Sequence, residues 1–118
     1  MADMQQSMVE FERNRAQLMS VSTQKQQLEL QSEALNQALE ELKTTKEEKA
    51  YKAVGNIMIQ KPAKDLLKEL DEQKDSVELR IKTMQKQEDI LIDKLNKLKS
   101  VLEKSQQGSA QGALEPLQ

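Results

Sequence analysis

The chain has 118 residues, room for one structural unit, and with 36% apolar, 2% aromatic and 32% charged residues it cannot fill a compact core. Its net charge of −2 provides no basic stripe to displace counterions from phosphates, which excludes the usual nucleic-acid binders. With no Cys and no His, thiol nucleophiles, disulfides, thiolate zinc sites and the commonest general base are excluded together.

The run MADMQQSMVEFERNR does not read as a signal peptide, and no apolar run approaches the ~20 residues that span a bilayer. A cytoplasmic protein with no membrane partner is expected. Residues 1–48 read as an N-terminal coiled-coil helix. Taking Met4 as heptad position a places Phe11, Leu18, Lys25, Ser32 and Leu39 at a, and Ser7, Asn14, Val21, Leu28, Leu35 and Leu42 at d. Most of these are apolar, and a 3.5-residue repeat sustained this long holds a narrow stripe against a partner helix.

Residues 49–61 break the period. Ala50-Tyr51-Lys52-Ala53-Val54 and Ile57-Met58-Ile59-Gln60 are short β-prone runs on either side of Gly55-Asn56. They predict a tight hairpin, because Gly at the first turn position takes positive φ without steric cost; the alternative is an irregular loop. An isolated two-stranded hairpin is marginal in water. Tyr51, Val54, Gly55, Asn56, Ile57, Met58 and Ile59 are therefore assigned to an oligomerisation element whose open edges and apolar faces invite strands from other chains.

The seam resumes over residues 62–105, with Pro62 placed as the first helical residue. Ala63, Leu70, Val77, Met84, Leu91 and Leu98 alternate with Leu67, Lys74, Ile81, Glu88, Leu95 and Leu102. The turn sends this helix back along the first, so both termini are expected at one end of an antiparallel rod and the hairpin at the other. Placing Leu42 opposite Leu67 brings Leu18 to Leu91, Phe11 to Leu98 and Val21 to Glu88, with Lys25 near enough to Glu88 to pair across the seam or, alternatively, to reach solvent independently. Residues 106–118 lose the repeat and are expected to form a disordered tail.

The free end gathers Met1, Met4, Met8 and Phe11 with Leu98, Val101 and Leu102. Methionine is flexible and polarizable, which suits a surface that repacks around many apolar side chains. Met4, Phe11, Leu98 and Leu102 can equally close the seam, whereas Met8 and Val101 lie off it. Neighbouring carboxylates such as Glu40 with Glu41 point about 100° apart on a helix and cannot converge on one atom. Gly55 is isolated, so no phosphate-cradling loop exists. Neither an enzyme nor a cofactor is expected.

The plan of long helix, YKAVGNIMIQKPAKDLLKELDEQKDSVELRIKTMQKQE and second long helix resembles the β-class prefoldin subunits, especially the archaeal ones, over about residues 4–104. Its most specific part runs from Tyr51 to Ile59, followed in the second helix by Met84-Gln85-Lys86-Gln87-Glu88, and the single hairpin matches the β class, where the α class carries two. The resemblance implies a mainly α fold, a long two-helix coiled coil whose hairpin joins an intersubunit β-barrel platform. It further implies a heterohexamer of two α-class and four β-class subunits. Such a hexamer holds unfolded clients at its coiled-coil tips without ATP and passes them to a group II chaperonin. A structural spacer or oligomerisation module without clients is the competing expectation.

Overall fold

Helix α1 spans Met4–Thr44 and contains neither Gly nor Pro in a run rich in Gln, Glu and Leu, all good helix formers. In the computed structural model, which describes residues 4–110 with side chains through Lys104, it is followed by β1 (Lys49–Val54), β2 (Ile57–Pro62) and α2 (Ala63–Ala110). Two long helices with one antiparallel hairpin between them is the fold that the periodicity predicted.

The helix ends differ from expectation for local reasons. Helix α1 stops at Thr44 rather than near 48. There Thr44 Oγ1 bonds back to the Glu40 and Glu41 carbonyls, at 3.1 and 3.3 Å, while Thr45 Oγ1 accepts the Glu47 N–H at 3.2 Å. The Thr45 bond gives the Glu47 N–H a partner outside the helix ladder. Pro62 is the last residue of β2, not the first of α2. It pairs with Lys49 at the open end of the ladder, and the next residue closes the base, Ala63 N–H donating to the Glu48 carbonyl at 2.7 Å. At its other end α2 runs to Ala110, past the expected 105. The remainder of the tail, 111–118, lies outside the described residues, as do residues 1–3.

The chain packs as two units, each made from a stretch of both helices. One combines the chain up to Gln24 with the chain from Met84 onward; the other is Lys25–Thr83, which includes the hairpin. In both, burial follows the predicted stripe. Ser7, Leu28, Ser32 and Leu39 on α1, and Val77 and Leu91 on α2, are buried. Every other predicted seam residue is half-buried except Met4, in the first turn of α1. A two-helix seam covers a side chain from one side only, so its residues keep partial contact with water. Leu66 is the buried residue that the stripe missed. With Ala63, Leu67 and Leu70 it forms an i, i+3, i+4, i+7 face in the first turns of α2, wider than a coiled-coil stripe.

Candidate functional site

The hairpin is the first candidate. Its register runs from Lys49↔Pro62 to Val54↔Ile57, with Gly55 at φ 60° in the two-residue turn. Alternation along the strands sorts the predicted residues onto two faces. Val54, Ile57 and Ile59 share one with Lys52 and Lys61, while Tyr51 and Met58 share the other with Ala53 and Gln60. Tyr51, Val54, Ile57, Met58 and Ile59 are all exposed, Ile59 least at 38% and Met58 most at 65%. On the second face a side-chain hydrogen bond crosses the strands, Gln60 Nε2 donating to Tyr51 Oη at 3.3 Å. Apolar surface on both sides of two strands has nothing in its own unit to cover it.

One feature of this region was not legible in the sequence. Glu69, on α2, takes an ion pair from each strand: Lys52 Nζ of β1 on Oε1, and Lys61 Nζ of β2 on Oε2 at 2.9 Å. The Lys52 hydrogen bond chiefly, and the Lys61 bond next, lower the Glu69 carboxyl from its ordinary 4.5 to about 2, against the opposing effect of partial burial. Three residues that are distant in sequence or of ordinary surface type become one cluster only when the strands fold against the helix.

The second candidate is the pair of helix ends in the other unit. Met8 and Val101 are 55% and 48% exposed, and Met4 is exposed too. Phe11, Leu98 and Leu102 are half-buried, in keeping with seam positions. Met1 lies outside the described residues. Val9, exposed beside Met8, extends the apolar surface and was missed because it falls outside any heptad pattern. Farther along the same unit Glu88 accepts a hydrogen bond from Ser22 Oγ at 2.5 Å. Ser22 is next to Val21, the residue predicted opposite Glu88, so the bond agrees with the register while using a partner beside the seam.

Among the described residues no three His, Cys, Asp or Glu side chains gather to hold a metal ion, and no helix is long and apolar enough to cross a membrane. An open groove of about 410 Å³ lies where Ser32, small for a seam position, leaves space beside Ile81; its rim is Glu29, Glu78 and Lys82. Mixed surface charges around a shallow gap do not make a catalytic pocket.

A family model described as "Prefoldin subunit" matches residues 5–109. The chain belongs to the prefoldin subunit family. It is similar to the prefoldin subunit beta of Archaeoglobus fulgidus, 49% identical over 76 residues, which cover 64% of this chain and 66% of that one, just under two thirds. It is likewise similar to that of Pyrobaculum calidifontis, 38% identical over 95 residues, 80% of this chain and 76% of the relative. Its structure is similar to the crystal structure of the prefoldin beta subunit from Thermococcus strain KS-1. The TM-score is 0.80 at 26% identity, with 86% and 90% of the two chains covered. The β-class prefoldin resemblance carried by the stretch from Tyr51 to Ile59 is thereby borne out, and family membership supports a chaperone-type subunit.

Proposed function

We propose that this chain is one subunit of an ATP-independent holdase that captures non-native polypeptides and releases them to a group II chaperonin. The observation that carries the proposal is the hairpin, a minimal sheet that leaves Tyr51, Val54, Ile57, Met58 and Ile59 exposed. Covering those side chains with strands of other subunits would complete the sheet, and a barrel platform of two α-class and four β-class subunits is the arrangement the family suggests. The exposed Met4, Met8 and Val101 would then act as client contacts, since flexible thioethers adapt to varied apolar surfaces. The assembly works in the cytoplasm, makes and breaks no covalent bond, and contacts neither nucleic acid nor membrane.

Co-expression with an α-class prefoldin subunit, followed by light-scattering mass and an aggregation-suppression assay without ATP, tests this reading. A heterohexamer that keeps an unfolded client in solution is the expected result. A permanent monomer or simple dimer with no protective effect would favour the spacer alternative.

A further inference from the structure

The hairpin joins the helices through two different connections at its base. On one side the chain passes from Thr44 to Lys49 without regular structure; on the other, Pro62 runs directly into Ala63. The backbone bond from Ala63 N to Glu48 O closes the base, which would be the pivot of any rocking of the hairpin. Toward the turn apolar packing does not hold the strands, since Val54 and Ile57, beyond Lys52 on the same face, remain exposed.

What does link strands to helix is Glu69. It stands six positions beyond Ala63, roughly 9 Å along the helix axis from the pivot, and its two carboxylate oxygens are divided between the strands, one for Lys52 of β1 and one for Lys61 of β2. The two anchor points also differ in height, Lys61 being next to the base and Lys52 nearer the turn. A brace with one point on each strand, set off from the pivot, opposes both rocking and twisting. All three side chains are about one-third exposed, so the lysine stems lie against the protein and the heads converge where a wholly solvated pair would wander.

We infer that Glu69 is a positioning residue: by binding one lysine from each strand it holds the hairpin in a set orientation on α2. This rests on the reading of the hairpin as the assembly element, and the orientation held is then the one in which the hairpin meets other subunits. A strand can add to a neighbouring sheet only when its direction matches, so a hairpin free to rock would assemble more weakly although its own pairing is intact.

The test measures orientation directly in the full-length chain. Spin labels at cysteines replacing Asn56, in the turn, and Asp75, on the exposed side of α2, report their separation by pulsed electron resonance. A narrow distribution is expected for the parent chain and a clearly broader one for Glu69→Gln. The charge-swapped chain Lys52→Glu, Lys61→Glu, Glu69→Lys is expected to recover a narrow one, which loss of folding or of bulk could not produce. An unchanged distribution in Glu69→Gln, or a swapped chain as broad as Glu69→Gln, overturns the inference. Sizing the same variants with an α-class partner should show Glu69→Gln needing at least a several-fold higher concentration to assemble. Failure of the assembly reading is seen separately, as normal assembly of Ile57→Asp, and does not alter the distance result.

Discussion

Gly55 sits at φ +60° with nothing within 4 Å of the place a Cβ would occupy, so substitution meets a conformational cost without a clash. Gly55→Ala is expected to weaken the hairpin by about 1 kcal/mol, and Gly55→Asn by less, since a short polar side chain tolerates the left-handed region. Amide exchange in β1 and β2 reads this as several-fold faster exchange for Ala than for Asn; equal rates in the parent and Ala chains would contradict it. At Glu69 the charge can be followed instead. Its carboxyl, lowered from 4.5 to about 2, favours the folded cluster above pH 4.5, and that contribution is lost as the pH falls from 4.5 through about 2. A carbon-13 titration of this carboxyl should find its midpoint near the lower value. Lys52→Gln should raise that midpoint more than Lys61→Gln, because the Lys52 bond is the larger cause.

At the scale of elements, the heptad stripe separates residues that composition alone treats alike. Leu28 and Leu30 are two positions apart on α1, yet Leu28 is 6% exposed and Leu30 73%. Leu28→Ala is expected to cost about 2 kcal/mol, the low end for a buried leucine because a two-helix seam can partly close over the gap. Leu30→Ala should change stability by less than about 0.5 kcal/mol. Urea denaturation followed by helical circular dichroism distinguishes them, and comparable losses would mean that the stripe does not bear the packing. The termini of the elements are governed differently, by single side chains such as Thr45, whose hydroxyl accepts the Glu47 N–H just beyond the last turn of α1.

For the whole molecule the predictions concern what other chains do with its surfaces. An aspartate at Ile57 or Ile59 would have to be buried unpaired between subunits, at a cost of several kcal/mol. Ile57→Asp or Ile59→Asp should therefore give a chain of full helical content that no longer assembles with an α-class partner, as read by light scattering. Replacing Met8 and Val101 together by Ser should leave assembly intact and reduce suppression of client aggregation several-fold. Undiminished protection by that variant would remove the helix ends from the client-binding role.

Much of this plan follows from the sequence alone, because its determinants are local. A repeat of three and four needs only the chain's own order to show which side of a helix is apolar, and Gly55-Asn56 between two β-prone runs specifies a reversal wherever the strands come to lie. The stripe, the hairpin and the antiparallel register are of this kind, and so is the family resemblance that they carry. Tertiary structure alone decided the contacts between side chains far apart in the chain. Lys52, Lys61 and Glu69 are three unremarkable surface residues until folding brings both strands against α2. Ser22 is off the seam until the helices' azimuth places it within 2.5 Å of Glu88. Leu66 lies outside the stripe, yet it is buried along with it. Periodicity records the direction in which a side chain leaves its own backbone; what it meets depends on the distance and rotation of another element, and these are set only when the elements pack.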